Sequence, residues 1–196
     1  MSDPIAFAVA VLTLLATPGP TNTLLAASGA THGLRPSLKL IPAEICGYLI
    51  TICLLLGIAA PLIAAHAMIG VALKLAACLW LICCATRLWR AAALELEQTR
   101  TNLSARRVFV TTLINPKALI FALAIIPPGS PVEIAPWLAA FSGMVIMVAT
   151  GWVAAGASLA RSAGHLATPR RICRATALAL VVFAMLVGGS AVTSVY

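Results

Sequence analysis

Thr17-Pro18-Gly19-Pro20-Thr21-Asn22 interrupts an apolar segment that runs from Ile5 to Ala16 and resumes, with apolar or small residues, from Thr23 to Ala30. Proline has no backbone N–H and clashes with the carbonyl four residues earlier, and glycine adds backbone freedom. Two prolines around a glycine therefore open the helical hydrogen-bond ladder here. In lipid, opened backbone groups need protein or a polar cavity to face, and such broken helices often form the binding sites of transporters.

The rest of the chain fits a membrane setting. Of its 196 residues 62% are hydrophobic and 9% charged, and the mean hydropathy is +1.05. A soluble domain of this size needs more polar residues to cover its surface. The composition predicts an all-α membrane protein with a single membrane-embedded domain over residues 1–196. The formal charge of +8 does not point to nucleic acid, because the basic residues cluster between apolar segments. Met1-Ser2-Asp3-Pro4 has no Lys or Arg ahead of the apolar run, unlike a cleaved leader, so the first segment is expected to remain in the protein.

At about 20 apolar residues per span, six spans are expected, at roughly 5–30 (broken), 41–64, 69–88, 108–126, 134–159 and 175–195. The first loop carries Arg35 and Lys39, the third Arg90, Arg100, Arg106 and Arg107, and the fifth Arg161, Arg170, Arg171 and Arg174; the second and fourth loops carry no Lys or Arg. The positive-inside rule makes the first, third and fifth loops cytoplasmic and both termini external. Turn residues such as Thr31-His32-Gly33-Leu34-Arg35-Pro36 and Pro127-Pro128-Gly129-Ser130-Pro131 separate the spans.

A second break is expected in the fourth span, at Leu113-Ile114-Asn115-Pro116-Lys117, and Pro116 follows Pro18 by half the chain length. The halves, about 1–98 and 99–196, then hold three spans each. Three is odd, so the pattern predicts a 3+3 inverted repeat with helices 1 and 4 broken. Asn115-Pro116 reads as the cap and first residue of a restarted helix. The N–H groups beyond it and the Lys117 ammonium form a candidate anion site, and Pro20, Thr21 and Asn22 offer the same geometry from the other half. Lys117 lies ten residues past Arg107, roughly 15 Å along a helix, beyond snorkelling reach.

Ala16-Thr17-Pro18-Gly19-Pro20-Thr21-Asn22, paired with Leu113-Ile114-Asn115-Pro116-Lys117-Ala118, resembles the LysE/RhtB family of bacterial amino-acid exporters. Leu73-Lys74-Leu75-Ala76-Ala77-Cys78-Leu79-Trp80-Leu81 is similar to that family's third span. The resemblance implies multi-pass, gradient-driven export of amino acids or close derivatives across the bacterial inner membrane. It assigns Pro18, Gly19, Pro20, Asn115, Pro116 and Lys117 to signature positions. Many members carry an acid straight after Pro-Gly-Pro, where this chain has Thr21-Asn22, and glycines in the second span, where it has Pro42-Ala43-Glu44.

Glu44 is the most deeply placed acid and has two readings. It could carry a coupling proton or pair with a substrate ammonium. Alternatively it is a first-turn acid, favoured by the helix dipole after Pro42. No metal site is expected: His32, His66 and His165 lie in loops without ligand spacing. Cys46, Cys53, Cys78, Cys83, Cys84 and Cys173 include no Cys-x-x-Cys and avoid both breaks, so they read as small core residues. No cofactor and no enzymatic triad is expected. The alternatives to an exporter are a metal or inorganic-ion transporter on the same architecture and a membrane thiol-redox protein. The expected partners are lipid and an amino-acid-like substrate, with a homodimer open.

Overall fold

The computed structural model describes residues 3–59, 103–127 and 129–161, with isolated helical positions between Met68 and Trp89 and between Leu178 and Met185. Apart from those positions the expected third and sixth spans, and most of the third and fifth loops, lie outside the described residues. Among the described residues Cys78 Sγ donates to the Ala184 carbonyl at 3.3 Å, which joins those two regions.

The described elements are helical throughout. Helix α1 (Pro4–Ala16) starts at an Asp3 cap whose carboxylate accepts from Ile5 N–H at 2.9 Å. It stops before Pro18, which offers no N–H. Helix α2 (Pro20–His32) restarts with Pro20 at its first position, where a missing N–H is harmless. The axes of α1 and α2 differ by 61°. Gly33 ends α2 at φ +82°, a conformation that favours glycine.

The first loop differs from the turn expected there, because Leu34–Leu38 forms a short helix, α3. Pro36 sits in its first turn, where no intrahelical N–H bond is due. Helix α4 (Ile41–Leu54) follows, with Pro42 again in the first turn, and runs on into a π-helical turn at Leu55–Ala59. Ser104 caps helix α5 (Ala105–Leu113). The chain then breaks at Ile114-Asn115 and restarts as α6 (Pro116–Ile120), which ends in a π-helical turn at Phe121–Ile125; the bend is 46°. Helix α7 (Pro131–Arg161) is 31 residues long, about 46 Å, and passes through Pro136. It begins at Pro131, three residues before the expected span. Leu34–Ile58 and Pro131–Arg161 are each long and apolar enough to cross a membrane, and so are the two bent pairs if each counts as one span.

The outside of the bundle carries many large apolar side chains, and a set of polar ones is buried within the largely apolar interior. Ile5, Val9, Ile58, Ile114, Val132 and Met147 point outward, whereas Thr21, Asn22, Ser28, Ser37, Glu44, Thr112, Asn115 and Lys117 are buried. Apolar side chains outside and polar ones inside are what a lipid solvent selects.

Two apolar clusters flank the breaks. One joins α1, the C-terminal part of α4, the region after Pro116 and the first half of α7, through Phe7, Leu15, Ile52, Phe121 and Phe141. The other joins α2, the start of α4, α5 and the later part of α7, through Leu24, Leu25, Ile41, Val108 and Val153. Thus α1 lies with α6 and its π-helical turn, and α2 with α5, so the two broken spans run antiparallel. Backbone approach is closest between α2 and α7: a Cβ on Gly29 would meet the Val153 carbonyl, and one on Gly156 the Ala26 carbonyl.

Charge is also sorted. Leu34, Leu38 and Leu103 pack on the second cluster, which places Arg35, Lys39, Arg106 and Arg107 at the α2–α5 end of the bundle. Asp3 and Glu133 belong to the other end, where Phe7 and Trp137 stack edge to face at 4.7 Å.

Candidate functional site

The two breaks meet. Opening the helix after Ala16 frees carbonyls that α2 cannot reach, and the Asn22 side chain turns back to take two of them. Its Nδ2 donates to the Leu15 carbonyl at 2.8 Å and to the Thr17 carbonyl at 3.0 Å. The second lone pair of the Thr17 carbonyl accepts from Lys117 Nζ, which arrives from the other break. Gly19 leaves the space for this, since a Cβ there would stand 3.1 Å from both Cε and Nζ of Lys117.

The second break is closed differently. Asn115 is the cap of α6, as its position before Pro116 predicts, and its Oδ1 accepts from Lys117 N–H at 3.1 Å. That cap diverts the amide from the Leu113 carbonyl, which accepts instead from Thr51 Oγ1 of α4 at 3.1 Å. Asn115 Nδ2 donates to Thr21 Oγ1 and to the Tyr48 hydroxyl, both at 3.1 Å. Thr21 Oγ1 also pairs with Thr112 Oγ1 at 3.2 Å, and Thr112 Oγ1 in turn donates to the Val108 carbonyl at 2.8 Å.

One expectation needs correction. The N–H groups following Asn115 are not open to an anion as a set, because the Asn115 side chain already occupies the amide of Lys117. The restart at α2 has no side-chain cap. Of the two helix starts, the one at Pro20 is therefore the better placed for an anion, with the Lys117 ammonium beside its Gly19 cap position.

Glu44 is a first-turn acid that is also buried. It lies in the first turn of α4, yet it is 1% exposed and its Oε2 has no hydrogen-bond partner among the described residues. A helix-start acid that only complements the dipole has no reason to be buried with an orphaned oxygen, since that costs desolvation without compensation. Glu44 and Lys117 are near enough to interact through their charges.

Pro18, Gly19, Pro20, Thr21, Asn22, Asn115, Pro116, Lys117 and Glu44 thus converge, Pro18 and Pro20 by breaking the helix rather than by offering a polar group. Sequence reasoning missed Tyr48, Thr51 and Thr112. Tyr48 is one helical turn from Glu44 and Thr112 one turn before Asn115, so i+4 and i−3 spacing from the chosen residues would have found two of the three. The Tyr48 ring is wedged edge to face against Phe121 and Phe141, each at 5.7 Å, so its hydroxyl is held rigidly at the network. Among the described residues no group of three or more His, Cys, Asp or Glu could hold a metal ion.

No curated protein and no solved structure gives a significant match to the chain. A family model described as LysE type translocator matches residues 12–194, a stretch that includes both breaks and all of the polar network between them. On that match the chain, a membrane protein whose described elements are all helical, belongs to the LysE type translocator family.

Proposed function

We propose that the protein is a secondary active exporter of amino acids or close derivatives, acting as a carrier rather than an enzyme. The observation that carries this reading is that the meeting point of two broken helices holds both a buried ammonium, Lys117, and a buried carboxylate, Glu44, whose Oε2 has no hydrogen-bond partner among the described residues. A substrate with its own carboxylate and ammonium complements both. Its carboxylate would bridge Lys117 Nζ and the uncapped start of α2, and its ammonium would turn to Glu44.

The antiparallel placement of α1–α2 and α5–α6 supports a 3+3 inverted repeat whose halves rock about this site. The grouping of Arg35, Lys39, Arg106 and Arg107 at one end supports a cytoplasmic face there, with both termini periplasmic in a bacterial inner membrane.

The test is export from cells fed dipeptides, with and without the protein, scoring every amino acid in the medium. At least one amino acid should appear faster with the protein present; no difference for any of them breaks the reading. In the same assay Glu44→Gln should lower export of that amino acid and flatten its dependence on pH. Unchanged transport and pH response would remove Glu44 from the coupling role.

A further inference from the structure

We propose that the Thr17 carbonyl is the resting partner of the Lys117 ammonium, standing in for the substrate carboxylate in the empty carrier, and that Gly19 is the positioning residue that makes the exchange of partners workable. The proposal rests on the exporter reading and adds to it how the unloaded protein returns.

An ammonium inside a membrane protein is costly whenever it has no partner. A carrier that releases its substrate's carboxylate faces that cost on each return. The first break supplies the remedy. Helix α1 ends at Ala16, and Thr17 O has no helical donor because Gly19-Pro20 interrupts the ladder. Asn22 uses one lone pair of that oxygen and Lys117 Nζ the other. The ammonium is bonded to this carbonyl rather than to the neighbouring Glu44, whose Oε2 makes no hydrogen bond among the described residues. Lys117 is 2% exposed, so bulk water does not reach it in this conformation.

Backbone conformation does not require glycine at position 19. Its φ of −158° and ψ of 173° are extended values open to any residue. What does demand glycine is space, because the nearest atoms to a Cβ there are Cε and Nζ of Lys117, both at 3.1 Å. An alanine would press on the end of a flexible side chain without straining the main chain. It would therefore shift the ammonium away from Thr17 O while leaving the fold intact.

Net export requires the empty carrier to return, whereas exchange of external for internal substrate does not. The test uses purified protein in liposomes, loaded with the radiolabelled amino acid that the export assay identifies, comparing net efflux with exchange for the wild type and Gly19→Ala. Because the contact has to accompany the ammonium through the return of the empty carrier, weakening this charge-assisted hydrogen bond raises the barrier to that return and should slow it about tenfold. Gly19→Ala is therefore expected to reduce net efflux about tenfold more than it reduces exchange. A fall of both in the same proportion overturns the proposal. Failure of the wild type to move any amino acid breaks the exporter reading instead.

A second measurement covers a variant that does not fold. The chain has only three lysines, Lys39, Lys74 and Lys117. In protein labelled with 15N-lysine and carrying Lys39→Arg and Lys74→Arg, the remaining ammonium signal should be protected from exchange with water when no amino acid is present. It should shift when the transported amino acid is added. An ammonium that exchanges freely in the empty protein excludes the resting contact with Thr17.

Discussion

The two breaks solve the same problem with opposite ends. At the first, the freed carbonyls are filled, by Asn22 from its own half and by Lys117 from the other, while the start of α2 has no side-chain cap. At the second, the helix start is filled by Asn115, and the freed Leu113 carbonyl is taken by Thr51 from a third element. A broken helix thus need not be a binding site. What decides is which unsatisfied end remains after the neighbours have taken theirs, and here the remaining end lies beside a buried cation.

The largest effect that tests this contrast is expected from Asn22→Ala. It strips a partner from two carbonyls in a protein interior, each loss costing about 1–3 kcal/mol. The variant should unfold several degrees lower in detergent while Asn115 and its cap stay in place. A melting temperature equal to the wild type would show that the carbonyl end of the first break is not closed as described. Next comes Asn115→Ala, which removes the α6 cap, worth about 1 kcal/mol by analogy with other N-caps. It also uncaps the second helix start, which should weaken discrimination between the two restarts and so raise the substrate's half-saturating concentration; kinetics in liposomes reads this directly. Tyr48→Phe should be the mildest, removing one acceptor of Asn115 for about 1 kcal/mol and leaving the ring packing on Phe121 and Phe141 in place. A loss of transport from Tyr48→Phe as severe as from Asn115→Ala would mean that the hydroxyl meets the substrate itself.

A different logic holds α2 against α7. There Gly29 and Gly156 bring backbones together with no polar side chain between them, the close packing that small residues permit in membranes. That contact is made by main chain against main chain, whereas the break region is held together by side-chain hydrogen bonds.

Much of this was legible in the chain itself. Both breaks, the roles of Pro20 and Pro116 at first helical positions, the cap at Asn115 and the interior placement of Lys117 follow from local rules. Proline chemistry and capping depend only on neighbours in sequence. The short helix at Leu34–Leu38 differs from the turn that Gly33 and Pro36 suggest, because a proline in a first turn does not interrupt a helix. Glu44 stayed ambiguous for a related reason: first-turn placement and burial are compatible, and only the second requires knowing what packs over α4.

The sequence by itself determined where the helices must break, which residues restart them, and that an ammonium lies deep inside a lipid-facing bundle. Only the tertiary structure decided which partner each freed group receives. Thr17 and Lys117, Thr21 and Asn115, and Leu113 and Thr51 are brought together by the antiparallel packing of the broken spans and the passage of α4 beside them. A backbone group freed by proline accepts whatever donor packing brings within about 3 Å, and residues so far apart in the chain meet only through the fold.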